Sequence, residues 1–276
     1  MRIPLVIASL LFLSACKKPA DNAGVSVMMD VPYGTDALQK MDIYLPANPS
    51  AAGTRLMILI HGGGWTGGDK ADFTPFVTTL QTRLPGYAFI NINYRLAMNG
   101  QHIFPTQEND VKAALAFIFS KRTEYQLSDK WVLLGASAGG HLAMLQTYKY
   151  NSPVQPAAVI SFFGPADLTA MYHYNPLIAS GLQQVTGTTP TINPVLYQQS
   201  GPYNFITAQS PPTLLLQGGA DPLVPPVQAT MVRDKLQSVG VPHQYVLYPT
   251  AGHGWTGPDL VDSFNKIAAF VQLYVK

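Results

Sequence analysis

The run Gly135-Ala136-Ser137-Ala138-Gly139 places a serine between glycines in the pattern G-x-S-x-G. It directly follows an apolar stretch, Trp131 to Leu134, and directly precedes a helix-like pattern, Leu142 to Leu145. A serine that works as a nucleophile needs this context: a turn between strand and helix so sharp that flanking side chains would clash. The turn pushes the hydroxyl out of the backbone and sets it at a helix N-terminus, where N–H groups stabilise negative charge. A glycine-rich helix start with an incidental serine would read the same way, so the motif has to be weighed with its partners.

A serine hydroxyl is a weak nucleophile until a base takes its proton, and the base needs an orienting carboxylate. Six histidines are available: His61, His102, His141, His173, His243 and His253. On a strand–turn–helix scaffold with this serine motif, the acid follows the serine and the base comes last. His141 is one helical turn after Ser137 and is expected to pack there. His243 sits just before a strand. His253, in Gly252-His253-Gly254-Trp255, lies between the last strand and the last helix, the place expected for the base. Asp221 follows the strand Thr213 to Leu216 and leaves the same sheet edge as Ser137 and His253, where active sites of open α/β sheets collect. The rival acids are Asp167, which leads into a long insertion, and Asp259, which reads as a cap of the last helix. Asp221 is preferred.

Acyl transfer passes through a tetrahedral oxyanion. Preorganised N–H donors stabilise it by about 2.7–4 kcal/mol each, judged by donor deletion. The run His61-Gly62-Gly63-Gly64-Trp65 leaves backbone donors bare after a buried strand. Gly63 and Gly64, with Ala138 after the nucleophile, are the candidate oxyanion hole. His61 reads as a structural post for this loop. A phosphate loop would need a Lys-Ser or Lys-Thr pair at longer spacing, which is absent.

The elements that must position these groups can be read from periodicity. Strands are expected at Val25–Tyr33, Lys40–Leu45, Leu56–Ile60, Tyr87–Ile92, Trp131–Leu134, Ala157–Phe163, Thr213–Leu216 and Gln244–Leu247. Helical patterns cover Asp110–Phe119 and the stretch from Leu260 to Tyr274. Alternation of strands and helices argues for a mainly parallel, eight-stranded α/β sheet with helices on both faces. The segment 165–211 is rich in Pro, Thr, Gln and Tyr and reads as a lid-like insertion within one domain, 25–276. With 276 residues and 47% hydrophobic residues, the chain has ample material for that core. Seventeen Lys and Arg against fifteen Asp and Glu leave no basic excess, so nucleic acid is an unexpected partner. No H-E-x-x-H and no cysteine pair occur, so no metal is expected either.

The N-terminus reads as an address. Met1-Arg2 precedes an apolar run, Ile3 to Leu13, too short to span a membrane but suited to an export signal. Leu13-Ser14-Ala15-Cys16 then resembles the lipobox of bacterial lipoproteins. In that family the chain is cut before the cysteine and its sulfur is diacylated. On this reading 1–15 is a signal peptide, Cys16 is the lipidation site, and 16–24 is a polar tether at the bacterial envelope. Cys16 is the only cysteine, and a fold without stray thiols suits an oxidising compartment.

Taken together, the chain resembles the α/β-hydrolase superfamily. It is most similar to bacterial esterases of the hormone-sensitive-lipase-like and feruloyl- or acetyl-esterase-like groups. The segments that carry the resemblance are His61 to Trp65 with Gly68-Asp69-Lys70, Asn93-Tyr94-Arg95-Leu96-Ala97, Phe104-Pro105 with Asp110, Gly135 to His141, Gly219 to Pro225, and Gly252-His253-Gly254. The resemblance implies hydrolysis of carboxylic esters without a cofactor. It assigns Ser137 as nucleophile, His253 as base and acid, and Asp221 as orienter. It also implies that Arg95 and Asp110 pair inside the scaffold. Two positions depart from the pattern: Gln217, where relatives often carry His, and Asn91-Ile92-Asn93, where they often carry an acidic residue. Trp65, Phe163, Tyr172, Tyr174 and Trp255 are candidates for a substrate pocket. An envelope location would suit acyl or feruloyl esters of polysaccharide. An amidase, formamidase or peptidase could use the same triad, and a non-catalytic binding module could keep the same fold.

Overall fold

A computed structural model describes residues 25–276. The expected signal peptide, the expected lipidation site Cys16 and the expected tether fall in residues 1–24, outside the described residues. In chain order the elements are β1 (Ser26–Pro32), β2 (Lys40–Leu45), β3 (Arg55–Ile60), α1 (Thr74–Arg83), β4 (Tyr87–Ile92), α2 (Thr106–Lys121), β5 (Trp131–Ala136) and α3 (Ala138–Lys149). They continue with β6 (Ala158–Phe162), α4 (Leu168–Tyr172), α5 (Pro176–Thr186), α6 (Pro194–Ser200), β7 (Thr213–Gly218), α7 (Val227–Ser238), β8 (His243–Tyr248) and α8 (Gly257–Tyr274). The eight strands form one sheet in the order β1-β2-β4-β3-β5-β6-β7-β8. The pairs from β4 through β8 are parallel, and β1 and β2 add an antiparallel edge.

The continuous apolar strands follow from burial on both faces. Along β3, Leu56, Ile58 and Ile60 face a layer that includes residues of α2, α3 and α7, while Met57 and Leu59 face a layer of α1 and α8. All five are fully buried, each contributing about 1.5–3 kcal/mol of apolar burial. Every expected strand is present, with ends shifted by no more than two residues. The edge strand β1 is mostly exposed, as an antiparallel edge can be.

The segment 165–211 carries α4, α5 and α6 and a short 3₁₀ turn at Pro202–Phe205. It is more regular than its composition suggests. Asp167, Asn175 and Asn193 each accept a backbone N–H of the first turn that follows them, and proline opens α5 and α6. These are N-cap and N1 signals, which dipeptides such as Asn-Pro share with ordinary turns. Leu168, Met171, Leu182, Val185 and Tyr197 tie the insertion into the core on the α2–α3 face.

Candidate active site

The nucleophile turn is held by backbone contacts that admit no Cβ. A Cβ on Gly135 would lie 2.1 Å from the Gly139 carbonyl oxygen, and one on Gly139 would lie 1.9 Å from that of Ile60. The end of β5, the start of α3 and the end of β3 therefore touch through bare backbone. Ser137 itself sits at φ 55° and ψ −122°, a region that costs a non-glycine residue about 1–3 kcal/mol. The Ser137 N–H donates to the Phe162 carbonyl at 2.9 Å, anchoring the strained residue to β6.

The three side chains named from the sequence converge. The Ser137 hydroxyl lies 2.9 Å from His253 Nε2, and His253 Nδ1 lies 2.7 Å from Asp221 Oδ2. With Nδ1–H donating to the carboxylate, Nε2 is left to accept the serine proton. Asp221 is held in turn: its Oδ1 accepts the N–H groups of Leu223 and Val224, both at 2.9 Å. Gln217, buried at the end of β7, donates to the Val224 carbonyl at 3.0 Å and reaches Asp221 Oδ2 at 3.5 Å. It thus braces the acid loop at the position where the resemblance led one to expect a histidine. The base loop is set against the acid strand by another missing side chain, since a Cβ on Gly218 would lie 2.1 Å from the Gly252 carbonyl oxygen. Of the rival acids, Asp167 caps α4 and Asp259 lies in the first turn of α8.

After β3, Gly63, Gly64 and Trp65 take φ values of 97°, 59° and 60°. The Gly63 carbonyl turns inward to accept from Thr66 and Gly67. Among the described residues, the N–H groups of Gly63, Gly64 and Ala138 donate to no other backbone group outside their own helix. Gly63 and Gly64 line a cavity that Ser137 and His253 also line. The loop is pinned from behind. The buried Lys70 ammonium contacts Asp42 at 2.9 Å, Asn93 Nδ2 donates to Asp69 at 2.8 Å, and Asn91 Nδ2 donates to the Lys70 carbonyl at 3.2 Å. The two asparagines that depart from the family pattern are therefore part of this anchorage.

His61 stacks on Tyr94 with ring centroids 4.2 Å apart, and its Nδ1 lies 2.8 Å from the Gly62 carbonyl. Burial holds its pKa below the ordinary range. It is a packed post, far from the role of a base. His141 is buried and donates from Nε2 to the Ser200 carbonyl at 2.7 Å. Burial lowers its pKa to about 4. Arg95 grips Asp110 through Nε and Nη2 at 2.9 and 2.6 Å, the internal pair that the resemblance implies.

The cavity before Ser137 has a volume of about 480 Å³. Of the five aromatic pocket candidates, Trp65 and Phe163 line it. Trp255 is a correction: it is not among the lining residues. Its indole N–H donates to Ser263 on α8 at 2.8 Å, and its ring packs on Tyr248 and Phe162 behind the base loop. Tyr172 packs against Tyr197, and Tyr174 is exposed; neither lines the cavity. Much of the remaining wall comes from residues the sequence reading did not single out, among them Leu168, Met171, Ile178 and Leu182.

The BD-FAE family model matches residues 41–236. The chain belongs to the BD-FAE family. The matched stretch contains the nucleophile turn, the glycine loop and the acid, and His253 lies beyond its end. This BD-FAE chain is 30% identical to the probable carboxylic ester hydrolase LipM of Mycobacterium tuberculosis and 26% identical to Esterase LipQ of the same organism. In both cases 82% of this chain aligns with 56% of the relative, so the chain spans little more than half the length of these relatives. Among solved structures, a truncated carbohydrate esterase from gut microbiota superposes with a TM-score of 0.79 at 25% identity, covering 94% of this chain and 99% of that one. The BD-FAE chain thus has the α/β-hydrolase fold that its motifs suggested.

Proposed function

We propose that the protein is a serine carboxylesterase. The observation that carries this reading is the unbroken relay from Asp221 through His253 to the Ser137 hydroxyl, with 2.7 and 2.9 Å between partners. Ser137 Oγ attacks the ester carbonyl while His253 Nε2 takes its proton. The N–H groups of Gly63, Gly64 and Ala138 hold the oxyanion. The tetrahedral species collapses, His253 returns the proton to the departing alkoxide, and the alcohol leaves an acyl group on Ser137. Water then attacks that acyl carbonyl, loses its proton to His253, and releases the acid with Ser137 restored. Asp221 keeps the imidazole tautomer and stabilises the imidazolium throughout.

The natural substrates on this reading are acyl or feruloyl esters of polysaccharide. The likeness to LipM, to LipQ and to a carbohydrate esterase supports an ester bond over an amide. The deciding experiment is hydrolysis of p-nitrophenyl butyrate: Ser137→Ala should lower kcat by about 10⁴-fold or more. Turnover by the variant at the wild-type rate overturns the mechanism. We propose in addition that the enzyme is exported and held at the envelope through a lipid on Cys16. Metabolic labelling with a palmitate analogue should mark the wild-type chain and leave Cys16→Ser unlabelled; equal labelling of both removes that assignment.

A further inference from the structure

The cavity facing Ser137 is walled on one side by the insertion. Leu177, Ile178, Gly181 and Leu182 line it from a single face of α5, at the i, i+1, i+4, i+5 spacing that puts residues side by side on a helix. Three of these are aliphatic, and Leu168 and Met171 of α4 extend the same wall. Gly181 alone has no side chain, and it is exposed while also lining the cavity. It therefore sits at a gap in the rim. A Cβ built on Gly181 would meet no heavy atom within 4 Å, so nothing from the rest of the protein fills the gap.

Charge is as informative as shape. Among the described residues, no Lys, Arg, Asp or Glu lines the cavity. Asp167 is the only charged side chain between 165 and 211, and its carboxylate is occupied in capping α4. Apart from the reacting Ser137 and His253, the lining side chains offer a hydroxylated or ionised group no accessible polar partner, since the Trp65 indole N–H is itself buried. An ionised substituent placed here would lose its hydration without compensation. A cavity of about 480 Å³ is also far larger than an acetyl group needs, and it lies in the range that holds whole small ligands.

We propose that Gly181 is a size-determining notch in the substrate cavity. It admits neutral esters with one bulky apolar group beside the carbonyl, and the polar remainder of the substrate stays outside. The inference rests on the esterase reading above and deepens it. A side chain at 181 projects into the rim, narrows the path for a long or ring-bearing group, and leaves room for a small one. Because Gly181 is a helical residue with open space at its Cβ, Gly181→Ala does not collide with the scaffold, and the larger side chains start from that open point.

The test compares wild type with Gly181→Ala, Gly181→Leu and Gly181→Phe on two series. One varies the acyl group from p-nitrophenyl acetate to octanoate. The other varies the alcohol from methyl to octyl butyrate. In one series the ratio of kcat/KM for the long member to that for the short member should fall by about tenfold in Gly181→Phe, with Leu and Ala graded in between. A fall of less than about threefold in both series overturns the notch. Wild type should also prefer p-nitrophenyl butyrate to the anionic hemisuccinate, and equal rates overturn the charge argument. The two levels fail separately. If wild type hydrolyses no ester and a fluorophosphonate leaves Ser137 unlabelled, the esterase reading falls; if wild type is active through Ser137 and the Gly181 ratios do not move, only the notch falls.

Discussion

The two sides of the cavity are built on different principles. On the side of Ser137, His253 and Asp221, position is set by backbone touching backbone: Gly135, Gly139 and Gly218 each stand where a Cβ would come within about 2 Å of a carbonyl oxygen. On the side of the insertion, position is set by aliphatic side chains from short capped helices packed on the core, and Gly181 stands in open space. Glycine thus has opposite meanings on the two sides of one cavity. In the first region it is required by contact, and in the second it is required by nothing in the fold. The chemical wall is rigid and intolerant, while the substrate wall can be remodelled without disturbing the relay.

The sharpest way to break this contrast is Gly139→Ala. The new methyl would collide with the Ile60 carbonyl at 1.9 Å and with that of His61 at 2.5 Å, both backbone atoms that cannot rotate away. The expected cost is about 4 kcal/mol or more, at the upper end of what overpacking does. It should be read as a lowered urea midpoint with loss of activity in whatever folds. A variant as stable as wild type would show that the turn has slack, and the distinction between the two walls would disappear.

The same two regions differ in how well the sequence displays them. The relay residues were legible because their chemistry is rare and their spacing is tied to strand ends. Ser137 lies after β5, Asp221 after β7 and His253 after β8, and periodicity located all three strands. The substrate wall was not legible. Its residues are ordinary aliphatics whose role depends on which face of α4 or α5 they occupy, and the helices themselves were hidden in a stretch that reads as loop. Asn175-Pro176 and Asn193-Pro194 were the available signals, as N-cap followed by N1 proline. Trp255 shows the converse error. A large aromatic beside the base suggests a pocket, but an indole N–H seeks an acceptor, and Ser263 on α8 supplied one on the far side of the loop. Gln217, Asn91 and Asn93 looked like departures in sequence and act as braces in space, a distinction that only the hydrogen bonds reveal.

A second contrast sharpens the first. The catalytic side holds a buried imidazole, His141, whose pKa burial lowers to about 4, with the nearby Lys149 charge adding in the same direction. Between about pH 4 and 6.5 the unfolded chain binds a proton at this position that the folded chain does not. Stability therefore falls as pH drops through that window, and the full difference amounts to about 3 kcal/mol. His61, also lowered by burial, acts with the same sign. Urea midpoints measured from pH 7 to 4.5 should decline in wild type. His141→Asn, although less stable at pH 7, should decline less steeply. Parallel slopes for the two proteins would place the acid sensitivity elsewhere.

The smallest expected effect isolates the other wall. In Gly181→Ala the added methyl meets no heavy atom within 4 Å, and the residue lies inside α5, capped by Asn175 at one end and closed by Gly187 at φ 68° at the other. No contact opposes the substitution, and the unfolded chain loses some of the freedom that glycine gives it. Gly181→Ala should therefore raise stability by about 0.5–1 kcal/mol, measured as a higher urea midpoint at unchanged slope. The chemical change is identical to that in Gly139→Ala, and the expected sign is opposite because one Cβ enters a carbonyl and the other enters open space at the cavity rim. If Gly181→Ala were destabilising by a comparable amount, α5 would be under a constraint that its surroundings do not display. The substrate wall would then be as tightly specified as the catalytic one.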